Sequence, residues 1–130
     1  MAAQAQDIFV DAGDGNDNND GTSASSPFAT IQKAFDEAGE GDVIRIDGGT
    51  FYNETATLTK DVEIQIENSP VRVDGLVLDA GANTASDNRA IIAKDDADEL
   101  EVATELEVAS GFYDLGSASE LELEDGATLR

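Results

Sequence analysis

The sequence predicts a mainly β chain, a parallel β-helix whose short strands stack as a solenoid, with one helix near its start. Three observations point there. Beyond Gly41 the chain is a series of short period-two apolar alternations, separated by Gly, Asp, Asn or Ser. A weak internal repeat runs through those segments. Only one stretch, ahead of them, has apolar residues at helical spacing.

Taken in order, the opening MAAQAQD lacks the basic and apolar regions of a signal peptide, yet Ala3-Gln4-Ala5 has the small-x-small form that precedes a signal-peptidase cut. Residues 1–7 read either as added residues or the remnant of a trimmed leader, or as a chance Ala-rich start. Ile8-Phe9-Val10 is a β-prone run, and DAGDGNDNNDGTSASSP (11–27) is a loop dense in turn formers. In ATIQKAFDEA, Ala29, Ile31, Ala34, Phe35 and Ala38 share one face, which predicts an amphipathic helix. Its expected cap is Ser25 or Ser26, with Pro27 in the first turn. Gly39-Glu40-Gly41 stops it, because glycine tolerates a left-handed turn. Residues 8–41 are thus an N-terminal strand, an acidic loop and a capping helix.

From residue 42 the texture changes. DVIRI (42–46) places Val43 and Arg45 on one face and Ile44 and Ile46 on the other, and GGTFY (48–52) turns the chain. TATLT (55–59), VEIQI (62–66), VRV (71–73), LVL (76–78), AII (90–92), LEV (100–102), LEV (106–108) and LEL (121–123) follow as strands. LVLDAGA (76–82), LEVASGF (106–112) and LELEDGA (121–127) share a pattern ending in Gly81, Gly111 and Gly126, spaced by 30 and then 15 residues. Such short strands suit stacked coils better than a sandwich, whose strands run nearer about five or six residues. About four coils of roughly 22 residues would fill residues 42–130. The closing DGATLR reads as the start of another coil without a cap, so the expectation is the N-terminal piece of a longer protein, or an end covered by a partner.

Composition narrows the function classes. The 130 residues hold 29 acidic against 7 Lys plus Arg, a formal charge of -22. Nucleic acid and anionic membrane are disfavoured as partners, since both need clustered cations. With no Cys and no His, disulfides, structural zinc sites, thiol or imidazole nucleophiles and imidazole bases are all excluded. No apolar run is long enough to insert in a membrane. The acidic excess fits a chain working in concentrated salt, or one loaded with calcium outside the cell.

Four sets of residues are candidates for chemistry. Asp11, Asp14, Asp17 and Asp20 recur at intervals of three on a Gly-rich loop, a donor set suited to calcium. Asn16-x-Asn18-x-Asp20-Gly21 has the form of the front of an EF-hand loop, but Pro27 stands where the bidentate Glu belongs. The other reading of the loop is a set of solvated turns. Glu99, Glu101, Glu105, Glu107, Glu120, Glu122 and Glu124 alternate with Leu and Val, predicting an outward carboxylate ladder that binds cations or is screened by salt. Asp95, Asp96, Asp98 and Glu99 are consecutive or nearly so, hence splayed, and no catalytic residue is assigned. Arg72 beside Asp74 and Arg89 near Asp87 read as surface ion pairs. Tyr52, Phe112 and Tyr113 are too scattered for a dedicated sugar platform.

Residues 8–54 are more specific. Asp11, Gly21-Thr22-Ser23, Pro27-Phe28-Ala29-Thr30-Ile31-Gln32, Ala34, Gly41-Asp42, Ile44, Ile46, Gly49-Thr50-Phe51-Tyr52 and Glu54 together resemble the N-terminal segment of right-handed parallel β-helix proteins of the pectate-lyase-like superfamily. The resemblance implies a right-handed coil and a helix plugging its first turn, with Phe28, Ile31, Phe35 and Ala38 turned inward. It does not choose a function, because the segment caps lyases, hydrolases and adhesins alike. The hydrolase pattern of that superfamily needs a Gly-His-Gly, and neither arginine sits in a lyase motif. The expectation is therefore a non-catalytic secreted or cell-surface segment, a structural or adhesive scaffold able to self-assemble through its ends or to contact polysaccharide. The alternative is the capping part of a polysaccharide lyase or glycoside hydrolase whose active site lies beyond residue 130.

Overall fold

The computed structural model describes residues 6–68, 70–79, 89–92, 99–110, 112–115 and 120–130. Its elements are β1 (Asp7–Asp11), α1 (Ile31–Glu37), β2 (Val43–Asp47), β3 (Tyr52–Leu58), β4 (Glu63–Glu67) and β5 (Val71–Asp79). They are followed by β6 (Arg89–Ile92), β7 (Glu99–Ser110), β8 (Phe112–Leu115), β9 (Glu120–Leu123) and β10 (Thr128–Leu129). Among the described residues the structure is mainly β with one short helix, as the apolar alternation predicts.

The strands assemble into two sheets. One runs β1-β2-β4-β6-β8, the other β10-β7-β5-β3 with β9 also paired to β7, and every pairing is parallel. This corrects the expectation of a right-handed parallel β-helix, a solenoid of about four equal coils. Two parallel sheets stand in its place, and their strands range from two to 12 residues. The physical reason is that short apolar runs fuse into longer strands. VRV and LVL join through Asp74-Gly75 into the nine residues of β5, and the two LEV runs join into the 12 residues of β7. Neighbour spacing is unequal as well, Ile44 lying beside Ile64 but Leu76 beside Leu106.

Gly75 makes the join possible. A Cβ there would lie 2.6 Å from the Thr55 hydroxyl on β3, so only glycine permits this approach. The register shifts on both sides of it: β3 has an extra residue between Tyr52 and Thr55, and β7 has one between Val102 and Glu105, each opposite Val73–Gly75. Of the repeat, the Leu76–Leu106 step survives as true register, whereas Leu121 pairs with Leu100 rather than with Leu106. The repeat's Gly81 and Gly111 lie outside the described residues.

The inward side chains fall into aliphatic rows. Ile8, Ile44 and Ile64 are neighbours across the first sheet, as are Val10, Ile46 and Ile66. Val71, Leu100 and Leu121 form a row in the second sheet, as do Val73, Val102 and Leu123. Both sets join one core, in which Ile31, Ala34, Phe35 and Ala38 of the helical segment are also buried. Parallel sheets are stable where they are covered, and α1 packs on β3, β1 and β2 to cover them here. Phe28 and Ile31 are core residues, as expected.

The helix begins later than its sequence signals suggest. Its N-cap is Thr30, whose hydroxyl accepts from the Lys33 N–H at 3.2 Å, so Ser25, Ser26 and Pro27 lie outside it. Phe28 is held extended instead, bridging to Val10 and exchanging backbone hydrogen bonds with Phe9 and Asp11. Gly21 (φ 69°) carries the loop across the face of the Phe28 ring, where a Cβ would meet the ring at 2.3 Å. Left-handed backbone and close approach together require glycine there.

Candidate functional site

The acidic loop is organised by its own carboxylates. Asp11 Oδ1 accepts from the Gly13 and Asp14 N–H groups at 2.8 and 3.2 Å, closing a tight turn. Asp17 reaches 12 and 13 residues ahead, accepting from the Ala29 and Thr30 N–H groups at 2.8 and 3.0 Å and from the Thr30 hydroxyl at 2.8 Å. Asp20 accepts from the Thr22 N–H and the Ser26 hydroxyl, and these bonds hold its carboxyl below the usual range. Asp14 is exposed. Asp11, Asp17 and Asp20 therefore hold three different stretches of loop, and no three of Asp11, Asp14, Asp17 and Asp20 bring carboxylate oxygens within 4.8 Å of one another.

Three further charged side chains fasten α1 to the sheets. Glu54 of β3 accepts from the Ile31 and Gln32 N–H groups at 2.8 and 2.9 Å, supplying a carboxylate where the helix has unsatisfied donors. Lys60 donates to the carbonyls of Phe35, Asp36 and Ala38 at 3.0, 2.8 and 2.7 Å, doing the same at the other end. Asp42, the buried charged residue among the described ones, accepts from the Gln6 and Gly39 N–H groups at 2.9 and 2.8 Å. Gln32 then lays its amide along β3, accepting from the Thr57 N–H at 2.7 Å and donating to the Thr57 carbonyl at 3.2 Å. Those are the bonds that a further strand would make.

Part of the carboxylate ladder is real. Arg72, Glu101 and Glu122 are register neighbours across β5, β7 and β9, with Glu99 beside Glu120. The carboxylates of Glu99, Glu101 and Glu122 lie within 4.8 Å of one another, a group that could hold a metal ion. Glu105 and Glu107 face Gly75 and Val77 instead, so the ladder does not continue along β7. Arg72 pairs with Glu124, 52 residues away, rather than with Asp74, and lies 4.5 Å from the Phe51 ring centre. That hydrogen bond and charge hold the Glu124 carboxyl below its ordinary range. Asp95, Asp96 and Asp98 lie outside the described residues, as do the side chains of Arg89, Phe112 and Tyr113.

A cavity of about 360 Å³ lies between the outward face of the first sheet and the loop residues Ala24 and Pro27. Parallel register builds its wall from three distant segments. Phe9, Arg45 and Gln65 form one row across β1, β2 and β4, and Asp11, Asp47 and Glu67 form the next. Arg45 Nε lies 3.3 Å from Asp7, while its Nη1 lies 3.1 Å from Glu67 and donates to Gln65 at 2.7 Å. Burial opposes the charge on Arg45, but Glu67 and Asp7 outweigh it and hold the guanidinium above its ordinary pKa. Asn68, with left-handed backbone (φ 55°), donates its amide to Asp47 at 2.8 Å. Asp47 and Glu67 were not singled out from the sequence. Only the pairing of strands 20 or more residues apart brings them beside Asp11, and local alternation carries no signal of it.

Comparison with protein-family models, with curated proteins and with solved structures gives no match. The superfamily resemblance thus remains a likeness of motif over residues 8–54. Among the described residues, no helix is long and apolar enough to cross a membrane.

Proposed function

We propose that this chain is a non-catalytic scaffold, structural or adhesive in role, belonging to the secreted or cell-surface class and working in salt- or calcium-rich surroundings. One observation carries the reading. Four charged side chains of its first half, Asp17, Asp42, Glu54 and Lys60, are committed to backbone groups of other segments. Carboxylates used in this way position the chain and leave little freedom for proton transfer. The formal charge of -22 supports solubility at high ionic strength, and Ala3-Gln4-Ala5 supports export. Polysaccharide and further copies of the chain are the partner classes of this reading.

The test is a pair of assays on the chain in molar salt. Neutral and acidic polysaccharides are incubated with it, and both reducing ends and co-sedimenting protein are measured. Retention on an insoluble polysaccharide without release of ends, or concentration-dependent sedimentation of the chain itself, is the expected outcome. Catalytic release of ends that scales with protein would contradict the proposal.

A further inference from the structure

We propose that the cavity under Ala24 and Pro27 is a binding site for a small organic cation, an amine or guanidinium carried on an apolar body. Its volume of about 360 Å³ falls within the range of small-molecule pockets. Its lining is divided in the way such a ligand needs. Phe9 and Pro27 provide apolar surface, and Asp11, Asp47 and Glu67 present three carboxylates against the single positive charge of Arg45. Arg45 is itself engaged by Asp7 and Glu67. Asp11 and Asp47 receive only neutral donors, the N–H groups of Gly13, Asp14 and Gly49 and the Asn68 amide. Like charges on neighbouring strands repel, so a row of this kind is relieved by a cation placed against it.

A bare metal ion does not fit the same place. Asp11, Asp47 and Glu67 do not converge as the Glu99, Glu101 and Glu122 oxygens do, so a ligand must span them rather than sit at a point. An organic cation does so, with its charge held between Asp47 and the face of the Phe9 ring, where cation–π attraction adds to the ion pair, and its carbon body against Pro27. A uronate or phosphate would meet the carboxylate row and be rejected.

The test is titration calorimetry on the whole chain at moderate salt, with agmatine as the free guanidine and a blocked Gly-Arg-Gly peptide as the side-chain form. Galacturonate is the anionic control, and melting is measured alongside for each variant. Saturable binding of agmatine at one site is expected, falling at least tenfold in Asp47→Asn and in Phe9→Leu at unchanged melting temperature. Binding of agmatine alone assigns the site to a free small molecule. Binding of both probes extends it to a basic side chain of a partner protein, and either result supports the proposal. Should Asp47→Asn fail to fold, Asp11→Asn gives the same readout. Absence of binding by both probes at millimolar concentration, equal binding of galacturonate, or unchanged affinity in the folded variants would overturn it.

Discussion

Tyr52 is only 1% exposed, and its hydroxyl donates to the Asp47 carbonyl at 2.6 Å while accepting from the Ala12 N–H at 3.3 Å. It therefore ties the start of β3 to the end of β2 and to the residue after β1. Tyr52→Phe should keep the fold and cost about 1–3 kcal/mol in a denaturant titration, the range for leaving buried backbone groups without a partner. Burial, reinforced by Asp11, Asp47 and Glu54 nearby, pushes the Tyr52 phenol well above its ordinary value of 10.0. A raised acid binds its proton more tightly when folded, so this stability is complete below pH 10 and is lost as pH rises further. In Tyr113→Phe, where Tyr52 is the one remaining tyrosine, phenolate absorbance should appear only together with unfolding. Reversible ionisation of the folded protein near pH 10 would contradict the burial. The anchoring role of Tyr52 is not legible in the sequence, because its partners Val10, Ala12 and Asp47 come from two other segments.

At the scale of elements, α1 is seven residues long and would be marginal alone. Tertiary contacts hold it: Glu54 at one end, Lys60 at the other, and Gln32 laid along Thr57. Glu54→Ala should destabilise the protein by about 1–2 kcal/mol, as loss of a strong helix cap does. Gln32→Leu acts differently, since it uncovers the edge of β3, and exposed edges invite pairing with other chains. That variant should show concentration-dependent light scattering at a temperature where the parent is monodisperse. Both effects being absent would mean that the helix is held by its apolar face alone. The helix and its inward residues could be read from spacing, and so could Ile44, Ile46, Ile64 and Ile66. Its start could not, because the bonds that fix Thr30 as cap come from Asp17 and Glu54. Strand lengths were misread for a related reason: Gly75 reads locally as a break, but against Thr55 it is a point of close approach.

For the molecule as a whole, acidity and the parallel register act together. Parallel pairing places Glu101 beside Glu122 and Asp47 between Asp11 and Glu67, and the chain carries -22 overall. That repulsion is present only in the folded sheets at full strength, so screening it favours the folded state. The ladder is visible as alternation, whereas its extent is not, since the bulges in β7 decide which glutamates meet. Glu122→Gln, on the exposed end of that row, should raise the melting temperature in dilute buffer and change it little in molar salt. The direct measurement is the melting temperature of the parent chain from 0.05 to 2 M KCl, with chelator and with millimolar calcium. A rise of at least about 5 °C with salt is expected, a little over 1 kcal/mol for a chain of this size. A melting temperature that stays level in KCl and in calcium alike, or that falls, would contradict a scaffold whose charged faces depend on cations in the surrounding solution.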